Sequence, residues 1–82
     1  MNTRLMVRMA FREGEWLTPY ELQRSILDRY GHRMSDASVT ARMRDLRKTK
    51  FGGYTVDRRP REGTRSFEYR LKRPTPQQEL AL

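Results

Sequence analysis

The tetrapeptide Thr18-Pro19-Tyr20-Glu21 is the strongest local structural signal in this sequence. Threonine is a favourable N-cap, proline suits the first helical position, and a glutamate three residues after the cap can accept a hydrogen bond from the cap N–H. The tetrapeptide therefore predicts a helix that begins at Pro19. Apolar residues at helical spacing follow it: Leu22, Ile26, Leu27 and Tyr30.

A helix is also predicted before this one, from Thr3 as its N-cap to Glu13. Its apolar stripe at helical spacing is Leu5, Met6, Met9 and Ala10. Val7 and Phe11 lie on a different side of the same helix. We expect them either to widen the buried face or to contact a second subunit.

A third helix is predicted after Gly31, which ends the second helix, and a four-residue connection. Ser35 is its N-cap, and the helix extends from Asp36 to Lys48. Three residues of this helix fall within a narrow arc and are expected to face the core: Val39, Met43 and Leu46.

Two alternating segments at residues 54–58 and 67–71 predict a β-hairpin. Phe67 and Tyr69 share the alternation phase of Leu71, which points all three toward the core. Residues 15–17 can pair as a short strand, and Trp16 is expected in the core. The segment 74–82, which begins Pro-Thr-Pro, is predicted to be a flexible tail, so that residues 1–73 form one domain of the α+β class.

The charge of the chain is concentrated in two segments. The 82 residues carry 18 Lys+Arg and 10 Asp+Glu, a net charge of +8. Residues 31–53 hold six cations and two anions, and residues 54–73 hold seven and three, so each segment has a net charge of +4. The rest of the chain sums to zero. Such an uneven excess, in which 15 of the 18 cations are arginine, is typical of a face that binds a polyanion.

Several classes of function are not expected from this composition. Cysteine is absent and His32 is the single histidine, so we expect no metal site and no bound cofactor. The carboxylates form no spaced acidic cluster, and no glycine-rich phosphate loop is present, so we do not expect an enzyme. No apolar run approaches the length of a membrane span, which favours a cytoplasmic protein.

Three motifs follow one another in order along the chain. They are Leu17-Thr18-Pro19-Tyr20-Glu21-Leu22 before the second helix, Ser35-x-x-x-Val39-Thr40-x-x-Met43-x-x-Leu46 in the third, and Gly53-Tyr54-Thr55-Val56 where the hairpin begins. Together with the basic hairpin they resemble the winged helix-turn-helix family over residues 3–72. The run at residues 41–48 also looks like small phage and prophage helix-turn-helix proteins. The resemblance implies three helices with a C-terminal two-stranded hairpin.

This arrangement would place the third helix, residues 35–48, in the major groove of DNA, whose width matches a helix with its side chains. Small or polar side chains and long cations are expected to contact the DNA from that helix: Ser35, Ala37, Ser38, Thr40, Ala41, Arg42, Arg44, Arg47 and Lys48. The wing, residues 58–66, would lie on the adjacent backbone or in the minor groove. Its expected contacts are Arg58, Arg59, Arg61 and Arg65.

The sequence therefore predicts a sequence-specific binder of double-stranded DNA. The resemblance implies a small transcriptional regulator or accessory protein of a phage or mobile element, acting in the cytoplasm or nucleoid of a bacterial host, with a homodimer as a plausible state. A second hypothesis is a winged-helix adaptor for an acidic protein partner, with an exposed apolar patch around Val7 and Phe11. RNA binding is a third hypothesis. It is disfavoured because RNA-binding sheets display aromatic residues, whereas Phe67 and Tyr69 are expected to be buried.

Overall fold

The computed structural model describes residues 2–12 and 14–73. Three helices are followed by a two-stranded antiparallel hairpin. This confirms the predicted α+β class and agrees with a winged-helix layout. The elements are α1 (Thr3–Ala10), α2 (Pro19–Tyr30), α3 (Asp36–Leu46), a 3₁₀ turn (Thr49–Phe51), β1 (Thr55–Pro60) and β2 (Phe67–Lys72).

The capping box at the start of α2 is formed as predicted. The Thr18 hydroxyl accepts a hydrogen bond from the Glu21 N–H at 3.1 Å, and the Glu21 carboxylate accepts one from the Thr18 N–H at 2.9 Å. At the other end Gly31 adopts the left-handed conformation, with φ of 64°, and its N–H donates to the carbonyl of Leu27. Both ends of α2 are therefore defined by local hydrogen bonds that the sequence specifies.

The buried face of α1 differs from the predicted one. Val7 and Phe11 are buried, whereas Leu5 and Met9 are 36% and 43% exposed. The expectation that Leu5 and Met9 line the core is therefore wrong, and so is the contact of Val7 and Phe11 with a second subunit. The helix had two apolar sides available, and the side with Val7 and Phe11 packs inward together with the small Ala10.

The bounds of α1 also differ from the prediction. Asn2 is the N-cap, since its side chain accepts a hydrogen bond from the Leu5 N–H at 2.8 Å. The helix ends at Ala10 because Phe11 is already extended, with ψ of 118°. The chain therefore leaves the helix one turn earlier than its periodicity suggested.

The third helix contributes the predicted residues to the core. Ser35 caps α3 by accepting a hydrogen bond from the Ser38 N–H at 3.1 Å. The helix ends at Leu46, two residues before the predicted Lys48, because the N–H of Arg47 turns back to the carbonyl of Arg44. The core joins the three helices to β2: Val7, Ala10, Phe11, Leu22, Ile26, Val39, Met43, Leu46 and Leu71.

The hairpin is completed by a third backbone segment. In the β1–β2 register, Val56 lies opposite Leu71 and Arg58 opposite Tyr69. On the other edge of β2, Leu17 and Tyr69 exchange two backbone hydrogen bonds, at 2.8 and 2.7 Å. The predicted short strand at residues 15–17 is thus present as a single bridge, and it ties the hairpin to the segment before α2.

The two faces of the hairpin are different. Val56, Tyr69 and Leu71 lie on the inner face, against the helices. Phe67 shares that phase but is 43% exposed, so its predicted burial is wrong. Phe67 is the first residue of β2, and it lies beside the N-terminal ends of α2 and α3 rather than over the core.

Trp16 is also not a core residue. Its ring lies on the outer face of the hairpin, between the guanidinium groups of Arg59 and Arg70, which are 4.0 and 4.6 Å from the ring centroid. Alternation along residues 15–17 directs Leu17 to the core and Trp16 to the opposite side.

A tight turn joins α3 to β1. The N–H of Tyr54 donates to the carbonyl of Leu46 at 2.9 Å, and the N–H of Gly53 donates to the carbonyl of Lys48 at 2.9 Å. Gly52 has φ of 116°, and a Cβ atom there would collide with the Tyr54 ring. The turn therefore requires glycine at residue 52.

Within the described ranges, no helix combines the length and the apolar composition needed to cross a bilayer. The predicted flexible tail at residues 74–82 lies outside the described residues.

Substitution of Val7 by alanine should destabilise the protein more than substitution of Leu5. Val7 is fully buried, so the loss of two methyl groups and the resulting cavity should lower the free energy of unfolding by about 2 kcal/mol. Leu5 is exposed, and Leu5→Ala should change it by less than about 0.5 kcal/mol. Urea denaturation of the two variants measures the difference. Equal losses would contradict the observed orientation of α1.

Candidate nucleic-acid interface

The outward face of α3 carries small side chains along its centre. Ala37 and Ser38 are exposed, and Ala41 is half-buried between longer neighbours. The hydroxyl of Thr40 donates to backbone carbonyls one turn earlier, at 3.0 and 3.1 Å. Because these side chains are short, a ligand can approach the helix backbone closely along this line.

A groove of about 310 Å³ separates α3 from the hairpin. Its lining residues are Thr40, Met43, Arg44, Arg47, Val56, Arg58 and Tyr69. Arg44 and Arg47 come from the helix and Arg58 from β1, and all three are exposed. Within the part of the chain that the structure describes, no carboxylate lies within 4.0 Å of any of them. The groove thus brings together three uncompensated positive charges.

On the other side of α3 the cations are compensated. Asp45 lies 3.1 Å from Nε of Arg42 and 3.4 Å from Nζ of Lys48. The buried Nε–H of Arg42 is not aligned with that carboxylate and makes no hydrogen bond among the described residues. A second hollow of about 230 Å³ lies on this side, where Arg33 and Arg42 meet Ser35.

On the outer face of the hairpin, Glu68 holds two of the predicted DNA-binding arginines. It accepts hydrogen bonds from Nε of Arg59 at 2.6 Å and from Nε of Arg61 at 2.9 Å. Arg61 also donates to Glu21 at 2.7 Å, which links the wing to the capping box of α2. Glu68 is 7% exposed because these arginines cover it. Arg59 and Arg61 are therefore already engaged within the protein.

These contacts shift the acid–base equilibria of the groups involved. The hydrogen bond from Arg59, followed by that from Arg61, lowers the pKa of Glu68. Burial alone would raise the pKa of Glu21, but the Thr18 N–H and Arg61 outweigh it and lower that pKa. Glu21 and Glu68 in turn raise the pKa of Arg61. Each shift favours the charged form, so this cluster is held as a set of ion pairs.

Asp57, a second acidic residue on the outer face of the hairpin, also pairs with two cations. Asp57 lies 2.9 Å from Nη2 of Arg70 and 3.2 Å from Nζ of Lys72. The hydrogen bonds from Arg70 and then Lys72 lower the pKa of Asp57. The four cations of this face thus each have a carboxylate partner: Arg59, Arg61, Arg70 and Lys72.

The structure therefore separates the four predicted wing residues. Arg58 lines the helix–hairpin groove, and Arg65 lines a further hollow of about 250 Å³ beside the start of α3. Neither has a carboxylate within 4.0 Å in the described ranges. Arg59 and Arg61 face the opposite side and hold Glu68. Arg58 lines the groove together with Arg44, and Arg65 lies beside the N-terminal end of α3.

Asp36 has a positioning contact between the two helices. Its carboxylate accepts a hydrogen bond from the side-chain amide of Gln23 on α2. This contact joins the start of α3 to the middle of α2 and places the negative charge at a helix N-terminus, where it is favourable. The sequence offered no local signal for it, because the two residues are 13 positions apart.

Sequence reasoning also missed the roles of Glu68 and Trp16. Both lie on the polar phase of the hairpin alternation, which is ordinarily exposed to solvent. The excess of arginine on that phase was a usable signal, since Arg59 and Arg70 flank Trp16 and Glu68 in the folded sheet.

Among residues 2–12 and 14–73, no group of three or more His, Cys, Asp or Glu side chains is placed to hold a metal ion. No family model, curated protein or solved structure matches this chain.

The ion pairs of Glu68 should make stability depend on pH. A carboxylate whose pKa is lowered by folding stabilises the folded state above its unfolded pKa, and this contribution is lost as the pH falls through the folded value. Glu68→Gln should therefore lower the free energy of unfolding at pH 7. The difference from the wild type should shrink below about pH 4.

Urea denaturation between about pH 7 and pH 2.5 measures this dependence. Glu62→Gln is the control, because Glu62 is exposed in the wing and has no cation within 4.0 Å among the described residues. It should have little effect at either extreme. A deficit of Glu68→Gln that stays constant with pH would show that shape, not charge, is what Glu68 contributes.

Proposed function

We propose that this protein binds double-stranded DNA with sequence specificity. The observation that carries the proposal is the convergence of Arg44, Arg47 and Arg58 on the groove between α3 and the hairpin, without compensating carboxylates among the described residues. Uncompensated arginines gathered on one face favour phosphate binding, and their planar guanidinium groups can also read guanine edges.

The shape of α3 supports its insertion into the major groove. Ala37 and Ala41 lie along the centre of its outward face, so the helix backbone can approach base edges. Arg44 lies on the hairpin side of that line and is the residue best placed to read a base. Arg47 also lines the groove, is exposed, and suits a phosphate contact. Arg42 and Lys48 would contact phosphates only after their ion pairs with Asp45 are broken.

The four arginines of the wing differ in whether a carboxylate of the protein already binds them, and this difference ranks them as candidate DNA contacts. Arg58 and Arg65 are the first candidates for the backbone or the minor groove. Arg59 and Arg61 are second, because each would have to leave Glu68. Arg61 links the hairpin to α2 through Glu21, and Arg59 joins the two strands of the hairpin through Glu68.

The biological setting is proposed from the resemblance to winged helix-turn-helix proteins of phages and prophages. It is that of a small transcriptional regulator or accessory protein of a phage or mobile element, in the cytoplasm of a bacterial host. A single recognition helix gives limited affinity, which favours binding as a dimer or as adjacent copies.

The exposed apolar patch that an adaptor would use is not the one expected from the sequence. Val7 and Phe11 are buried, but Leu5 and Met9 are exposed one turn apart on α1. An adaptor would use these two residues and would show little affinity for DNA at about 150 mM salt. RNA binding was disfavoured because the aromatic residues of the hairpin were expected to be buried. Tyr69 is half-buried, but Phe67 is exposed, so the argument does not apply to Phe67.

Binding to DNA should depend strongly on salt. If Arg47, Arg58 and Arg65 each contact a phosphate, the logarithm of the association constant should fall with the logarithm of salt concentration with a slope of about −3. Fluorescence anisotropy of a labelled random duplex at several salt concentrations measures the slope. A slope near zero would contradict the electrostatic basis of the proposal.

Selection from a random DNA library, followed by substitution of single arginines, should separate base reading from phosphate binding. Arg44→Ala should weaken the selected site roughly 5- to 100-fold and random DNA much less. Arg58→Ala should weaken both by a similar factor and reduce the salt slope by about one.

Two matched variants serve as controls. Arg24→Ala removes one exposed positive charge from α2 and should leave DNA affinity nearly unchanged. Arg59→Gln changes the residue next to Arg58 on the opposite face and should lower stability more than affinity. Equal effects of Arg24→Ala and Arg44→Ala on every duplex would remove the assignment of the groove as the DNA site.

A further inference from the structure

Phe67 is a large apolar side chain in an exposed position. It is the first residue of β2, lies opposite Pro60, and is 43% exposed. One face of its ring is covered by the guanidinium of Arg58, which lies 4.6 Å from the ring centroid. Arg58 therefore packs on one side of the ring, and part of the Phe67 side chain remains accessible to a ligand.

The surroundings of Phe67 face the proposed DNA site. Phe67 lines the hollow of about 250 Å³ between the hairpin and the starts of α2 and α3, together with Arg65 and the 66% exposed Tyr20. Tyr69 lines both this hollow and the helix–hairpin groove. Arg58 also lines that groove and covers one side of the Phe67 ring, so Phe67 lies at the border of the groove.

An exposed phenylalanine is by itself unremarkable in a protein surface. Phe67 differs because Arg58 packs on its ring and Arg65 lines the same hollow, and neither arginine is paired with a described carboxylate. An apolar ring near two unpaired cations matches the chemistry of a nucleic acid, in which the π-face of a base lies between two phosphates. Some proteins that bind the minor groove insert an apolar side chain between two neighbouring base pairs and partly unstack them.

We propose that Phe67 stacks on a base at a step that opens in the bound DNA, with Arg58 and Arg65 on the flanking backbone. The free face of the ring contacts the base, while Arg58 supports the other face. The proposal rests on the DNA-binding function proposed above. It implies that the protein prefers DNA whose bases are easily unstacked, such as flexible pyrimidine–purine steps or mismatches.

Two 24-base-pair duplexes of one sequence test this preference, one fully paired and one with a central T·T mismatch. Each carries 2-aminopurine beside the central pair, because its fluorescence rises when the base is unstacked. The wild-type protein should bind the mismatched duplex roughly 5- to 100-fold more tightly. Binding of the paired duplex should raise the 2-aminopurine fluorescence.

Substitution of Phe67 should remove both effects. Phe67→Ala should bind the two duplexes equally and should retain the salt-dependent affinity for the paired one within about threefold. Phe67→Leu keeps an apolar side chain without a π-face and should retain only part of the preference, while Phe67→Trp should restore it. Met9→Ala is the matched control, since Met9 is also 43% exposed but lies on α1.

The outcomes are distinguishable. If the wild type binds both duplexes equally with the expected salt slope, or if Phe67→Ala keeps the mismatch preference, the stacking role is wrong and the DNA-binding function stands. If Met9→Ala loses the preference as Phe67→Ala does, the role is again wrong. If the wild type shows no salt-dependent affinity for either duplex, both the stacking role and the DNA-binding function fail.

Discussion

A network of ion pairs that includes the Glu68 carboxylate holds the hairpin against α2. Glu68 accepts hydrogen bonds from Arg59 and Arg61, and Arg61 also donates to Glu21, the residue that closes the capping box of α2. A chain of charge-assisted hydrogen bonds therefore connects the start of a helix to the wing. Such bonds are short and directional, so the wing cannot turn away from α2 without breaking several of them together. The Leu17–Tyr69 bridge restrains the opposite edge of β2 in the same way.

The same carboxylate decides where the positive charge of the hairpin is available. Glu68 and Asp57 compensate the arginines and the lysine of the outer face, whereas no described carboxylate approaches Arg58. On α3, Asp45 compensates the side that faces away from the hairpin. The uncompensated charges of both elements thus meet in the groove between them. The electrostatic field is shaped by the placement of three acids as much as by the number of arginines.

The parts of this fold that could be predicted from sequence are those with local physical causes. The capping box of α2, the left-handed Gly31 and the inward residues of α3 depend on neighbours within one or two helical turns. Periodicity could not choose between the two apolar sides of α1, because that choice depends on what α1 packs against. Alternation placed Phe67 on the correct face of β2 but could not show that the core ends before it. In the candidate site, the arginines were identifiable as cations, and their division into paired and unpaired sets depends on contacts across 7 to 40 positions.

The width of the helix–hairpin groove is set at its base by the turn from α3 to β1. Backbone hydrogen bonds from Tyr54 to Leu46 and from Gly53 to Lys48 join the two elements, and Gly52 leaves room for the Tyr54 ring. The side chains of the arginines that line the groove make none of these hydrogen bonds. Residues 44, 47 and 58 can therefore change during evolution without altering the frame that presents them. Such a separation lets closely related chains acquire different ligand preferences on one unchanged scaffold.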